Sequence, residues 1–176
     1  VQTIVAALQA NGPVALLLTR QDLKPYSAEM AKNIDVKKGA YVISDDEDFE
    51  IILTATGSEV NLALEVAEIL RNNSIRTRVV SMPSMELFLK QSQDYQDSVL
   101  PPECVVRVSI EAGTTFGWHR IVGTDGLAIG LDHFGASAPY KKLAEEFGFT
   151  AEKVVQRIQQ HFMSGCSCSC CDGSCH

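Results

Sequence analysis

The chain has 176 residues, enough for one domain with its own hydrophobic core and part of a second. Apolar residues make up 45% of it and charged residues 21%, which is ordinary for a globular protein. The net charge of −7 argues against nucleic-acid binding, which needs a cationic face. No apolar run reaches the roughly 18 residues of a membrane span. We therefore expect a globular domain that binds neither nucleic acid nor membrane.

The N-terminal part of the chain combines one helix, one strand and a polar connection. Residues 1–10 lack an initiator Met and a signal-peptide pattern, and Ile4 and Leu8 have helical spacing, so we expect a chain that begins inside a larger protein, at the end of a helix. The continuous apolar run 14–19 predicts a strand buried on both faces. Residues 20–44 are polar and contain Pro25 and Gly39, which predicts a linker.

A second unit starts near Tyr41, with alternating strand and helix patterns. Strands are predicted at 50–55, 75–81, 104–110 and 126–131, and helices at 60–70, 84–89, 139–147 and 151–162. Strand, helix and strand within about thirty residues indicate a βαβ unit with a parallel strand pair. The predicted fold is α/β: a three-layer α/β/α domain with a mostly parallel sheet, over residues 45–163.

Turn and cap residues divide these elements. Hydroxyl side chains suited to capping helix N-termini are Ser58, Ser84, Ser137 and Thr150. Pro139 suits a first helical turn, and Gly148 suits the left-handed position that ends a helix.

Three internal motifs have a chemical and a structural interpretation. The turn at Thr56-Gly-Ser58 precedes a helix, so its N–H groups could bind an anion. We favour the other interpretation, a strand-to-helix connection without a ligand. Glu111 and His119 follow a strand and would suit acid–base catalysis, but a subunit or domain contact explains them better. The acidic run 45–48 lacks the spacing of a calcium loop, so we interpret it as a solvated hairpin tip rather than a cation site.

Two further residue types need an interpretation. His133 is predicted to be a satisfied core or loop histidine, not a ligand. Of six cysteines, Cys104 lies in a strand-like run and is predicted to be a buried core thiol. So few cysteines outside the C-terminal tail are typical of a protein from a reducing compartment.

The C-terminal tail, residues 164–176, is different in kind and is predicted to be disordered. Five thiols and a terminal imidazole lie within eleven residues: Cys166, Cys168, Cys170, Cys171, Cys175 and His176. Thiolates are soft ligands suited to Zn²⁺ or Cu⁺. A disordered thiol-rich end, an end with scrambled disulfides, and an artefact of the sequence remain open alternatives to metal binding.

Several strings, in one order, resemble transketolase. Phe134-Gly-Ala-Ser-Ala-Pro139 followed by Glu145-Glu-Phe-Gly-Phe-Thr150 is similar to the closing segment of that family. Further similar strings are Leu18-Thr-Arg-Gln-Asp-Leu23, Thr54-Ala-Thr-Gly-Ser-Glu-Val60, Arg78-Val-Val-Ser-Met-Pro-Ser84 and Glu111-Ala-Gly113. The likeness covers residues 1–162 and leans towards plant or algal members. It implies a C-terminal portion, with residues 1–44 as a remnant of the pyrimidine-binding domain and a linker.

The resemblance implies an enzyme that moves a two-carbon ketol unit between sugar phosphates with thiamine diphosphate and Mg²⁺. In the family those cofactors are held by earlier domains, so this chain is expected to be inactive alone and to pack against the remaining domains in a homodimer, in the cytoplasm or a plastid. Arg20 matches the family arginine that binds the substrate phosphate, a role that suits a guanidinium. The resemblance assigns no catalytic residue to this portion.

Two alternatives to this function remain at this point. One is a portion of a related thiamine enzyme: dihydroxyacetone synthase, deoxyxylulose phosphate synthase or the beta subunit of a 2-oxoacid dehydrogenase. The other is a free-standing partner-binding domain whose thiol tail binds a metal.

Overall fold

The structure, a computed structural model, describes residues 2–19 and 21–163. Seven helices of the described part are α1 (Gln2–Leu8), α2 (Glu59–Asn72), α3 (Met85–Phe88), α4 (Gln93–Val99), α5 (His119–Val122), α6 (Tyr140–Glu146) and α7 (Ala151–Met163). The strands are β1 (Tyr41–Ser44), β2 (Ile51–Ala55), β3 (Thr77–Ser81), β4 (Arg107–Ile110) and β5 (Leu127–Ile129). Two short 3-10 turns, Met30–Asn33 and Val36–Lys38, precede β1.

The five strands form one sheet in the order β1-β3-β2-β4-β5. All pairings are parallel except that of β1 with β3, which is antiparallel. Consecutive side chains of a strand point to opposite faces of the sheet. Each face is covered by helices, so the sheet has two buried faces. Leu53 packs against α2 and α7, whereas Ile52 packs on the side of α3, α4 and α5. The predicted three-layer α/β/α fold is therefore confirmed.

The apolar stripes of the two long helices form the larger core. The buried residues of α2 are Val60, Ala63, Val66, Ala67 and Leu70. Val154, Val155 and Ile158 of α7 are buried in the same cluster. These positions recur at the three- and four-residue spacing that places side chains on one helix face. The stripes predicted from the sequence are thus the ones that pack on the sheet.

The predicted strand at 14–19 is wrong. The structure has no strand there, and Leu17 and Leu18 are 94% and 80% exposed. A strand needs a neighbouring strand to satisfy its N–H and C=O groups, and no described residue pairs with this segment. The apolar run therefore lies outside the sheet that the described residues form.

The prediction for Cys104 also needs correction. The thiol is half-buried, not buried, and lies before β4, which begins at Arg107. The parallel pairing of β2 with β4 begins at Ile52 and Arg107, so residues 104 and 105 lie before the first paired residue. Burial raises the pKa of the Cys104 thiol.

The predicted caps divide into two groups. The hydroxyls of Ser84 and Thr150 accept hydrogen bonds from N–H groups of the first turns of α3 and α7, as predicted. Ser58 does not cap α2 through its side chain, and Pro139, not Ser137, precedes the first residue of α6. Gly148 has the expected left-handed φ of 81°.

The sheet begins earlier than the predicted boundary between residues 44 and 45. The strand β1 pairs with β3, and Tyr41 and Ile43 are buried in the larger core. Where the domain itself begins stays a prediction. Among the described residues, no helix is long and apolar enough to cross a membrane.

Candidate functional site

The carboxyl ends of the parallel strands are where an α/β sheet of this kind usually presents functional groups. The loops after β2 and β4 meet at this edge, because the two strands are neighbours in the sheet. The helix α2 follows β2 and the helix α5 follows β4, and these helices lie on opposite faces of the sheet. Their side chains include two carboxylates, Glu59 at the start of α2 and Glu111 just after β4.

The carboxylate of Glu59 occupies the N-terminal end of α2. It accepts hydrogen bonds from the Ser58 hydroxyl at 2.9 Å and from the backbone N–H of Ala112. Burial, with a contribution from the charge of Glu111, raises the pKa of Glu59 despite these bonds. A phosphate at this turn would meet two carboxylates, so the anion-binding interpretation of the turn is disfavoured.

The carboxylate of Glu111 is hydrogen-bonded to a tryptophan and not to a histidine. Its carboxylate accepts a hydrogen bond from the Trp118 indole Nε1–H at 2.6 Å. The indole is 5% exposed and packs in the smaller core with Ile121. His119 is exposed, and no hydrogen bond or ion pair within residues 2–19 and 21–163 joins it to Glu111. The residues are therefore not arranged as an acid–base pair.

The loops after β4 and β5 are bonded into one unit. The carboxylate of Asp132 accepts from the Thr115 N–H at 2.9 Å, the Thr115 hydroxyl at 2.7 Å and the Thr114 hydroxyl at 3.1 Å. These donors, the Thr115 N–H first, hold the pKa of Asp132 below its usual range. The Leu131 N–H also donates to the Gly113 carbonyl at 2.6 Å.

Two phenylalanines lie in these loops after β4 and β5. Phe116 is 89% exposed and Phe134 is 98% exposed. His133, which we predicted to be a satisfied histidine, is exposed; its Nδ1–H donates to the Phe134 carbonyl at 2.8 Å. Its ring also packs edge-on against Phe147, with centroids 5.0 Å apart. The sequence reasoning named Phe134 only within a string that resembles the family and predicted exposure for neither phenylalanine, because exposure cannot be read from the residue type.

The acidic run 45–48 binds arginines instead of forming a hairpin tip. Asp45 accepts two hydrogen bonds from Arg78, and Asp46 accepts two from Arg71. The run is not a hairpin, since β1 pairs with β3 and not with β2. These carboxylates tie the antiparallel edge strand to the parallel sheet.

A groove of about 950 Å³ lies between residues 21–27 and the helices α2, α6 and α7. Charged side chains of both signs line it, among them Lys24, Glu65 and Lys141. Within the described part of the chain, no group of three or more His, Cys, Asp or Glu side chains is placed to hold a metal ion.

The residues predicted to bind ligands lie outside the described residues. This holds for Arg20 and for the six tail residues: Cys166, Cys168, Cys170, Cys171, Cys175 and His176. Their proposed roles stay predictions.

The fold and the edge together define a three-layer α/β domain whose carboxyl edge presents aromatic side chains. Comparison with known proteins identifies its relatives. The family model described as "Transketolase-like TK C-terminal domain" matches residues 39–150. The chain belongs to this family.

Individual relatives agree with the family model. A transketolase of Aquifex aeolicus is 46% identical over 162 residues, which cover 91% of this chain and 24% of that protein. A chloroplastic transketolase of Craterostigma plantagineum is 48% identical over 159 residues, covering 89% and 30%. The solved transketolase of Leishmania mexicana superposes with a TM-score of 0.71 at 39% identity, covering 80% and 20%. The chain thus spans between a fifth and a third of the length of these relatives.

Proposed function

We propose that this chain acts as the C-terminal portion of a transketolase, an enzyme that transfers a two-carbon ketol unit between sugar phosphates. The observation that carries the proposal is the family match over residues 39–150, which includes all five strands of the sheet. The comparisons favour transketolase over the related thiamine enzymes and over an unrelated free-standing domain.

The unpaired apolar segment supports a role within a larger assembly. Residues 14–18 expose leucines to water, and no described strand pairs with their backbone. Exposed apolar surface with free backbone groups favours association with another strand. We propose that residues 1–44 are the last part of the pyrimidine-binding domain and a linker, that residues 45–163 are the C-terminal domain, and that the remaining transketolase domains cover the segment.

The cofactors of the proposed parent enzyme are thiamine diphosphate and Mg²⁺. Magnesium prefers oxygen ligands and is usually held by carboxylates together with phosphate oxygens. The described residues do not fit this group, because they bring no three metal-binding side chains together and their strand-to-helix turn holds a carboxylate. We therefore assign no step of the reaction to this portion and propose that it contributes packing within a homodimer.

Arg20 is the proposed substrate contact of this chain. A guanidinium presents several donors in a plane and binds a phosphate through two of them. The proposal for Arg20 comes from its place in the string Leu18-Thr-Arg-Gln-Asp-Leu23, and it needs a functional test.

The test is a transketolase assay with xylulose 5-phosphate, ribose 5-phosphate, thiamine diphosphate and Mg²⁺. The chain is assayed alone, and then mixed with Aquifex aeolicus transketolase that lacks the segment matching it. We expect no turnover by the chain alone and turnover in the mixture. Turnover by the unaided chain would overturn the proposed division of labour, and a mixture without activity would count against a working C-terminal portion.

The same mixture tests the arginine. Replacing Arg20 by Gln is expected to raise the KM for the sugar phosphate, because the lost ion pair contributes to phosphate binding. Arg76→Gln is the matched control, since Arg76 is half-exposed and makes only ion pairs of 3.6 and 3.7 Å with surface carboxylates. Equal KM values for the two variants would remove Arg20 from the site.

A second proposal concerns the cysteine-rich tail. We propose that residues 166–176 bind Zn²⁺ or Cu⁺, because five thiols and one imidazole within eleven residues exceed the four ligands of a tetrahedral site. Zinc titration in reducing buffer is expected to release protons as the thiols ionise. A chain truncated after residue 163 is the control, and equal proton release from both chains would exclude the tail as the site.

The proposed location is a reducing compartment, either the cytoplasm or a plastid. Its support is the single cysteine in residues 1–165 and the chloroplastic relative. Fractionation of the source cells with antibodies to this chain tests the location, and a secreted chain would contradict it.

A further inference from the structure

Arg20, the proposed phosphate contact, is followed in the sequence by a segment that contacts the domain formed by the sheet and its helices. We call residues 21–30 the docked segment. Its residues 21–27 form one wall of the groove beside α2. The sequence alone predicts a polar linker at this place, whereas in the folded chain the segment is bonded to α2. The segment therefore restricts where the chain before it can lie.

Two contacts join the docked segment to the domain. The side-chain Nδ2–H of Asn61 donates a hydrogen bond to the Lys24 carbonyl at 3.3 Å. The side chains of Tyr26 and Met30 are partly buried and pack against the larger core. Asn61 lies in the first turn of α2, and the neighbouring Val60 is 1% exposed, so the donor belongs to a helix that is packed on the sheet.

The backbone between these two contacts has few accessible conformations. Pro25 has a fixed φ, and its ring favours an extended backbone for Lys24, the residue before it. Further along, the Ser27 hydroxyl accepts a hydrogen bond from the Met30 N–H at 3.2 Å. The Lys24 carbonyl is therefore an anchor on a stiff segment rather than a point on a free linker.

The length of chain between Arg20 and this anchor limits how far apart the two can lie. Four residues span at most about 13–14 Å when they are fully extended. The residues on either side of Arg20 are also joined, because the Gln21 N–H donates to the Thr19 hydroxyl at 3.2 Å. A binding group on a short and stiff connection loses less conformational entropy when it meets its ligand.

We infer that Asn61 is a positioning residue for the substrate phosphate. Through its bond to the Lys24 carbonyl it limits the positions that Arg20 can take relative to the C-terminal domain. The inference rests on the proposed role of Arg20 in phosphate binding. It gives the C-terminal domain a part in substrate binding although none of its side chains touches the sugar.

The kinetic test uses the mixture with truncated Aquifex aeolicus transketolase. Asn61→Ala is expected to raise the KM for the sugar phosphate about 3- to 10-fold, the factor that corresponds to one net hydrogen bond, and to leave kcat unchanged. Asn72→Ala is the matched control, since Asn72 is an exposed residue at the end of the same helix. This control should leave both kinetic constants unchanged.

A double-mutant cycle separates positioning from a general structural effect. In a chain that already carries Arg20→Gln, Asn61→Ala is expected to change the KM no further, because the anchor acts only through the guanidinium. The same rise in KM with and without Arg20 would make the role of Asn61 structural and overturn the inference. A rise with Arg20→Gln but not with Asn61→Ala would keep the phosphate contact and remove the positioning role. No rise with Arg20→Gln would remove both.

Nuclear magnetic resonance of the full chain tests the docking without any turnover. Backbone amide order parameters at residues 21–24 are expected to be about 0.85 in the parent chain, as in a rigid backbone, and below about 0.6 in Asn61→Ala. Those of β2 and β3 should stay the same in both chains, and Asn72→Ala should match the parent. A parent chain whose residues 21–24 already lie below about 0.6 has no such anchor, and this result would overturn the inference whether or not the mixture is active.

Discussion

Replacing Arg107 by Leu tests how the short helix α4 is held against the sheet. The Arg107 guanidinium donates to four backbone carbonyls, those of Leu100, Pro101, Cys104 and Ile121, at 2.8 to 3.3 Å. Leu100 directly follows the last residue of α4, so two of these acceptors, Leu100 and Pro101, lie at the negative end of that helix. One side chain therefore joins β4, the end of α4 and the helix α5.

The size of the effect follows from the number and burial of these bonds. A hydrogen bond from a charged donor contributes about 1.5–3 kcal/mol, and the four bonds of one half-buried guanidinium are not additive. The substitution Arg107→Leu would leave the four carbonyls without this donor, although some would gain water. We therefore expect a loss of roughly 2–4 kcal/mol in the free energy of unfolding, or a fall of about 6–16 °C in the thermal midpoint.

Urea unfolding followed by circular dichroism measures this change. Arg76→Leu is the matched control, because the Arg76 side chain is 51% exposed and its ion pairs are 3.6 and 3.7 Å long. Exposed ion pairs of this kind contribute at most about 1 kcal/mol. If Arg107→Leu cost no more than Arg76→Leu, the four carbonyl contacts would not stabilise the domain and the reasoning would fail.

Three other substitutions probe the backbone, the core and the carboxyl edge. Gly39→Ala should lose roughly 2–4 kcal/mol in urea unfolding, since Gly39 has a φ of 82° and an added Cβ would overlap the Phe88 backbone nitrogen. Gly57→Ala, at a φ of 57° with open space around it, is the control and should lose less. Leu70→Ala should lose about 2–5 kcal/mol by leaving a cavity under α2, and a loss below about 1 kcal/mol would contradict the packing of that helix. Glu59→Gln tests the raised pKa of Glu59, which burial causes first and the charge of Glu111 second. A carboxyl group with a raised folded-state pKa adds stability below its unfolded pKa and loses it as the pH rises through the folded value. The variant should therefore gain stability relative to the parent chain between about pH 4 and pH 7 in thermal melts, and a gap independent of pH would refute the assignment.

Local periodicity was enough to predict the central elements of this domain. The alternation of β2, α2 and β3, and the apolar stripe of α7, follow from side-chain spacings that no distant contact alters. The hydroxyls of Ser84 and Thr150 cap their helices because a cap needs only the next three residues. The strings at residues 54–60, 78–84 and 134–150 led to the family that the comparisons show.

Residues whose partners are distant in the sequence were predicted wrongly or missed. The apolar run 14–19 has the composition of a buried strand, but a strand exists only where a second strand satisfies its backbone. The acidic run 45–48 has the composition of a solvated hairpin tip, but in the folded chain Arg71 of α2 and Arg78 of β3 donate hydrogen bonds to its carboxylates. The helix α5 and the edge strand β1 are too short for a periodic signal.

The carboxyl edge depends most on tertiary structure. Glu111 has the residue type of an acid–base catalyst, and only the folded chain pairs it with the Trp118 indole rather than with His119. The exposure of Phe116 and Phe134 is likewise seen only in the folded chain, where Asp132 is hydrogen-bonded across the two loops that carry them. The sequence by itself determined which residues form helices and central strands, because those preferences are local. Which polar groups meet and which rings face water was decided only when strands far apart in the chain became neighbours in the sheet.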